Sequence, residues 1–352
     1  MSDIVKVNLS DHDAKRIKSL SNSNDYIVIR IKKDTIMFLV EGNSYFKAVQ
    51  LKCTASWSGN LKVDSDTLVN LTSGGFLGIL KQGDKLALTY SATEQAFDNG
   101  IFKRITTTPL QMIDDMTLRE YLTVIKGVEG NMLYISELVD LKDILKVCTY
   151  NKIGIEISDG YIRSSSNIMK MFKPIADKDL SIGLDIDALK EIEKFGTDCR
   201  MHNVSNYLVL TRNEFMLAVR KCTLSNIRYP DSIYSADLAT TCSAVNITEL
   251  FELMKSYNKN LNKLSEGYVL FDLVDSRIQV YNGRTSFYSQ TFSKQLKTSS
   301  GFVANKVKLP LANMHGLGIL KGQDDLVIYT YGNIIRLALS NGISLIMKGE
   351  VA

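Results

Sequence analysis

The chain has 352 residues, 45% of them apolar and 23% charged, and carries a net charge of +4. This is the composition of a folded globular protein, long enough for roughly two or three domains, and not of a disordered chain. No segment reaches the roughly 20 uninterrupted apolar residues of a membrane span, and Met1-Ser2-Asp3-Ile4-Val5-Lys6 lacks the layout of a signal peptide, so a cytoplasmic protein without membrane contact is expected.

The first third begins with a helix over Ser10–Leu20 and strands over Tyr26–Ile31, Thr35–Val40 and Tyr45–Cys53. A second set follows: strand Leu61–Val63, helix Asp66–Gln82, and strands Lys85–Tyr90 and Ile101–Thr106. A boundary near 115–128 carries the acids Asp114, Asp115 and Glu120. The middle third opens with a helix from Ser136 to Val147. Ser136 is its N-cap, Glu137 sits in the first turn, and leucines 138, 141 and 145 form one stripe. Strands Ile153–Ser158 and Tyr161–Ser166 flank Asp159-Gly160, a hairpin turn signal because both residues tolerate positive φ. Strand Leu180–Leu184, helix Ile186–Phe195 and strands Asn206–Thr211 and Glu214–Thr223 complete this third. Residues 228–240 begin Arg228-Tyr229-Pro230-Asp231-Ser232-Ile233-Tyr234, a connector by its proline and polarity.

The last third repeats the plan. A helix over Ile247–Lys263 is capped by Thr248 and carries Leu250 and Leu253. Strands Tyr268–Val274, Arg277–Tyr281 and Thr285–Phe292 follow, the last two joined through Asn282-Gly283. Then come strand Phe302–Ala304, helix Leu309–Lys321 with Pro310 in its first turn, and strands Leu326–Tyr331, Asn333–Leu339 and Gly342–Met347.

Local identity supports the repetition. Leu-Gly-Ile-Leu-Lys occurs at 77–81 and at 317–321, and Ile192-Glu193-Lys194-Phe195-Gly196-Thr197-Asp198 stands near the midpoint as a degenerate copy. The reading is α+β: three tandem domains, 1–117, 118–233 and 234–352, each built of two βαβββ halves. Lys81, Lys194 and Lys321 then close equivalent helices and face one common space.

This pattern over essentially the whole chain resembles the DNA sliding clamps of the bacterial beta-clamp type, the DNA polymerase III beta subunit and its phage relatives. Two segments add to the likeness. Ser158-Asp159-Gly160-Tyr161 resembles the family's Thr-Asp-Gly-His turn, and Asn226-Ile227-Arg228-Tyr229-Pro230-Asp231 resembles its Gly-(Lys/Arg)-Phe-Pro-Asp-Tyr connector. The resemblance implies two chains closed head-to-tail into a ring, with helices lining a central hole and antiparallel sheets outside. It implies a non-enzymatic processivity factor that encircles double-stranded DNA without sequence preference and tethers a DNA polymerase, with a clamp loader as a further partner. No cofactor or metal is implied.

Carried onto this chain, the resemblance makes Lys15, Arg16, Lys18, Lys81, Lys146, Lys194, Lys255, Lys259 and Lys321 the DNA-facing cations. In four of the six predicted helices acids come early and bases late. The helix dipole alone favours that order, so the charges agree with a clamp without establishing one. The partner-peptide pocket maps to Gly160, Ile162, Pro230, Tyr234, Ile346 and Met347. Two departures stand out: the end Ile343-Ser344-Leu345-Ile346-Met347-Lys348-Gly349-Glu350-Val351-Ala352 lacks the family's Met-Pro-Met-Arg ending, and Arg163 replaces a common leucine.

Other chemistry finds little support. His12, His202 and His315 have no metal-ligand spacing, and Ser73-Gly74-Gly75-Phe76-Leu77-Gly78 lacks the GK[ST] ending of a phosphate loop. Cys53, Cys148, Cys199, Cys222 and Cys242 form no CxxC pair and are expected as reduced, mostly buried thiols. Two alternatives stay open: a clamp-fold recruitment protein such as a transcription coactivator, and an unrelated α+β enzyme.

Overall fold

The computed structural model describes residues 3–21, 26–68, 73–128, 132–133, 141–196, 198–223, 241–243, 267–272, 274–275, 277–282, 285–291, 293–295, 306–311, 326–331 and 333–352. Among these, antiparallel sheet dominates, with α-helices α1 (Asp11–Ser21), α2 (Glu94–Asp98), α3 (Arg119–Gly127), α4 (Lys142–Asn151) and α5 (Ile186–Phe195). The chain divides into two compact units, one of Met1–Val139 with Glu191–Lys221 and one of Asp140–Lys190 with Cys222–Ala352.

In the first unit, α1 starts at a reciprocal cap. The Asp13 N–H donates to Ser10 Oγ at 3.1 Å, while Asp13 Oδ2 accepts from the Ser10 N–H at 3.1 Å and hydroxyl at 2.6 Å. Ala14, Ile17 and Leu20 then fall on one face and are fully buried. A nine-stranded sheet runs in the order Gln111–Ile113, Gly59–Asp64, Tyr26–Ile31, Thr35–Glu41, Tyr45–Lys52, Phe215–Arg220, Tyr207–Arg212, Arg200–Val204, Met132–Leu133. Its seam lies where Tyr45–Lys52 meets Phe215–Arg220, with Phe46 opposite Ala218 and Ala48 opposite Met216. Over one face of that seam Phe46, Ala48, Tyr207 and Ala218 pack with Leu118 and with Tyr121, Val124 and Ile125 of α3. A five-stranded sheet, Thr54–Ala55, Asp3–Leu9, Gly75–Gln82, Lys85–Ser91, Lys103–Pro109, completes the unit.

The second unit repeats the scheme. Its nine-stranded sheet runs Ile182–Leu184, Ile155–Ser158, Tyr161–Ser165, Met169–Pro174, Ser344–Lys348, Ile334–Leu339, Leu326–Tyr331, Thr241–Ser243, Ser293–Gln295. The seam joins Met169–Pro174 to Ser344–Lys348, with Lys170 opposite Ile346 and Met171 opposite Leu345. Its five-stranded sheet runs Thr285–Thr291, Arg277–Asn282, Gly267–Asp272, Lys306–Pro310, Glu350–Val351. The residues beyond Lys348 therefore add a strand, Val351 pairing with Val307 and Glu350 with Lys308. The Asp159-Gly160 turn has φ values of 53° and 77°, as a type I′ hairpin requires.

Several sequence expectations are corrected. The segment Asp66–Gln82 is not a helix but a 3₁₀ turn at Ser65–Leu68 and a strand at Gly75–Gln82. The strand is held between two others, and a Cβ on Gly78 would lie 2.5 Å from Thr89 Oγ1 and 2.8 Å from the Phe97 ring. Lys81 thus sits on a strand and Lys194 on a helix, so the two are not equivalent. Lys321 lies outside the described residues. The degenerate copy at 192–198 is therefore not an equivalent of the word at 77–81, and the second copy at 317–321 lies outside the described residues; the strand plan does recur.

The expected helix Leu309–Lys321 cannot begin where placed: Leu309 and Pro310 end the strand Lys306–Pro310, opposite Val269 and Tyr268. The supposed connector at 115–128 holds α3, whose entry is fixed by Asp114 accepting from the Thr117 N–H at 2.9 Å and hydroxyl at 2.8 Å. The middle helix is shifted to Lys142–Asn151 and stops at Lys152, which adopts φ 56°. Strands Asp3–Leu9, Met169–Pro174 and Arg200–Val204 and the short α2 were missed. Of the four cysteines with a described environment, only Cys148 is buried; Cys53 and Cys199 are half-buried and Cys222 is exposed. The helix Ile247–Lys263 and the connector 228–240 lie outside the described residues.

Candidate nucleic-acid and partner interfaces

The cations assigned to DNA fall into different settings. Lys15 is exposed on α1 and Lys18 is half-buried. Arg16, on the same helix, is only 6% exposed and is therefore not on an open phosphate-facing surface. Burial and the nearby charge of Arg212 hold its pKa below the ordinary arginine value. Its Nη1 lies 3.7 Å from Glu214 Oε2, a long ion pair.

On α4 and α5, Lys146 and Lys194 are tied to acids one turn back. Lys146 Nζ donates to Asp143 Oδ1 at 3.0 Å, and Lys194 Nζ to Glu191 Oε1 at 2.7 Å. Glu191 is itself buried, and Lys47 Nζ sits 2.5 Å from its second oxygen. Burial works to raise the Glu191 pKa, but the two lysines outweigh it and hold the carboxyl below its usual range. The Asp143–Lys146 pair is locally neutral and Glu191 offsets one of its two lysines, so these lysines attract phosphate less than bare ones do. Lys255, Lys259 and Lys321 lie outside the described residues. Among the described residues, no group of three or more His, Cys, Asp and Glu side chains could hold a metal.

The residues expected to form a partner pocket are divided by strand alternation in the second unit. Successive residues point to opposite faces of a sheet. Ile162 and Met347 are buried with Met169, Met171 and Leu345 on the core face, the side of the sheet opposite Tyr161. Ile346 points the other way and packs with Phe172, Tyr161 and Ile334. The Tyr161 and Phe172 rings meet edge-on at 5.9 Å. The Arg336 guanidinium lies over Phe172 at 5.0 Å and over Tyr329 at 4.8 Å, closing the patch from above. Gly160 stands at the adjoining turn, whereas Pro230 and Tyr234 lie outside the described residues. Tyr161, Phe172, Ile334 and Arg336 were not anticipated; their alternation with core residues was the available signal.

Arg163 occupies the leucine position usefully. It is 4% exposed, donates from Nη1 to the Ser158 carbonyl at 2.9 Å and to Ser158 Oγ at 2.8 Å, and stacks over Tyr161 at 5.1 Å. It thereby holds the Asp159-Gly160 hairpin from inside.

No protein-family model and no curated protein sequence matches this chain. Solved structures do. A protein described as a putative DNA polymerase III beta subunit from Eubacterium rectale is 11% identical, with a TM-score of 0.70 over 98% of this chain and 99% of that one. The DNA polymerase III subunit beta of Pseudomonas aeruginosa is 8% identical, with a TM-score of 0.68 over 98% and 99%. The Helicobacter pylori beta clamp bound to a DNA ligase peptide is 13% identical, with a TM-score of 0.64 over 99% and 100%. The chain has the α+β fold of the beta sliding clamps from end to end.

Proposed function

We propose that this chain, with its sliding-clamp fold, is a DNA sliding clamp: a non-enzymatic ring that encircles duplex DNA and tethers a replicative polymerase in the cytoplasm. The observation that carries the reading is the fold match over nearly the whole of both chains. A ring works by topology and effective concentration and needs only weak, sequence-independent phosphate contacts. The partly neutralised lysines on α4 and α5 suit such contacts.

The sheet plan supports closure by a second copy. Each nine-stranded sheet consists of two half-sheets joined through the last strands of their meanders, Tyr45–Lys52 with Phe215–Arg220 and Met169–Pro174 with Ser344–Lys348. Each five-stranded sheet is one such half with its last strand, Lys103–Pro109 or Thr285–Thr291, at an edge among the described strands. Joining Lys103–Pro109 of one copy to Thr285–Thr291 of another repeats the same seam and closes a head-to-tail homodimer. The three consecutive domains, 1–117, 118–233 and 234–352, then become six around the hole. A proline at Thr107 or Thr108, one of which directs its N–H outward, is expected to convert the dimer to monomer in analytical ultracentrifugation.

A Helicobacter clamp in the same fold takes a DNA ligase peptide. In this chain the half-buried Tyr161 and Ile334, backed by the buried Phe172 and Ile346, supply an apolar seat for a polymerase or clamp-loader segment. The decisive test is retention on circular duplex DNA and loss from the same DNA once linearised. A protein that is monomeric at all concentrations and shows equal retention on both would end the clamp reading. A ring that holds DNA without lengthening polymerase products would favour the recruitment alternative.

A further inference from the structure

A polar cleft of about 670 Å³ opens in the first unit. Arg16 of α1, Arg200 at the start of its strand, and Arg212 before the Asn213 turn all line it, with Asp198 the one lining carboxylate. Three guanidiniums facing one carboxylate leave the cleft positive.

The donors inside it are not satisfied. Arg16 Nη2 is buried without a hydrogen-bond partner among the described residues, and so is Arg212 Nε. The neighbouring groups account for only part of their capacity: Arg212 Nη2 donates to the Phe195 carbonyl at 2.5 Å, and Glu214 stands 3.7 Å from Arg16 Nη1. Glu214 is itself 56% exposed, so water screens what charge it offers. A guanidinium keeps its proton in a protein and has five donors to place. Leaving such donors buried and unmatched is unfavourable, and two like charges brought together add repulsion. An anion with several acceptor oxygens relieves both at once, and the flat arginine fork matches phosphate with two parallel bonds.

We infer that this cleft binds a phosphate group, held between Arg16 and Arg212 with the exposed Arg200 at its rim. The cleft has room for a phosphate carried on a larger molecule, either a DNA backbone or a free phosphorylated compound. The site stands independently of the clamp reading, since its geometry lies within one unit and concerns one anion.

The test uses the full chain and inorganic phosphate, with chloride at equal ionic strength as control. Phosphate raises the melting midpoint in a saturable way beyond chloride. Arg16→Gln weakens phosphate binding about tenfold or more, as loss of a charge-assisted bond predicts. Arg200→Ala, at an exposed position, preserves the fold and weakens binding in the same direction. If phosphate stabilises no more than chloride, or if folded Arg200→Ala and Arg212→Gln bind it like the parent, the site does not exist. A second arm identifies the source with a short DNA duplex. If the backbone supplies the phosphate, Arg16→Gln makes the plot of log affinity against log salt shallower by about one. If the slope is unchanged while phosphate binding falls, the ligand is a free phosphorylated compound. Ring retention on circular DNA is read separately, so either conclusion can fail alone.

Discussion

The two seams solve the same joining problem and finish it differently. In the first unit α3 covers the joined strands. Phe46 is held edge-on between Tyr121 at 5.1 Å and Tyr207 at 5.5 Å. The Tyr207 hydroxyl donates to Glu120 at 2.6 Å and accepts from Arg220 at 3.0 Å. In the second unit α4 lies against the opposite side of the sheet, where Cys148 Sγ meets Ser164 Oγ at 3.8 Å. On the Phe172–Ile346 side no described helix covers the seam, and Arg336 lies over the aromatic ring. A helix over a seam converts apolar surface into stability. A seam left without one keeps its half-buried flanking residues, here Tyr161 and Ile334, available for a partner.

Substitutions at four positions test this contrast, from the largest effect to the smallest. Phe46→Ala removes the ring at the centre of the covered seam and is expected to lower unfolding free energy by about 3–5 kcal/mol in urea titration. A loss below about 1 kcal/mol would mean that α3 does not bear on the seam. Glu191→Ala leaves the largely buried Lys47 without its counter-charge, and a loss of about 3 kcal/mol is expected.

The same carboxylate predicts a pH effect. Its folded pKa is depressed, so its stabilisation is complete above the unfolded value of about 4.3 and fades as pH falls through the folded value. Stability of the parent should therefore fall more steeply than that of Glu191→Gln below about pH 4.3, with parallel curves between pH 6 and 8. Tyr207→Phe removes one hydroxyl from the Glu120–Arg220 network and should cost about 1 kcal/mol, seen as a shift of the urea midpoint. Tyr161→Ala, at the uncovered seam, should change stability by no more than about 1 kcal/mol while weakening a bound partner peptide about tenfold. Equal losses of stability at Tyr161 and Phe46 would erase the contrast.

Much of the element content was legible. Tyr26–Ile31, Ile186–Phe195 and Leu326–Tyr331 stand at their predicted bounds. Their local signals were strong: a run of β-branched and aromatic residues, or a helical stripe with acid first and base last. The Asp159-Gly160 turn was equally plain because its conformation is a local property of the backbone. The interfaces were less legible. Arg16 reads as a surface cation of a basic helix, yet burial turns it into the wall of a cleft. Ile346 and Met347 read alike as groove residues, yet alternation sends one outward and the other into the core. That choice depends on which face the rest of the chain covers, a non-local fact.

By itself, the sequence determined the alternation of short helices and hairpin-linked strands, the α+β class and the near-repetition of one plan. Caps, turns and periodicity act within about a dozen residues, so they can be read from a string. The tertiary structure alone decided that Tyr45–Lys52 pairs with Phe215–Arg220 and Met169–Pro174 with Ser344–Lys348. It alone made Leu77–Lys81 a strand, because a short apolar run fits helix or strand until neighbours claim its hydrogen bonds. Those partners lie far along the chain, and their pairing is favoured only once burial of one common face offsets the entropy of bringing distant segments together.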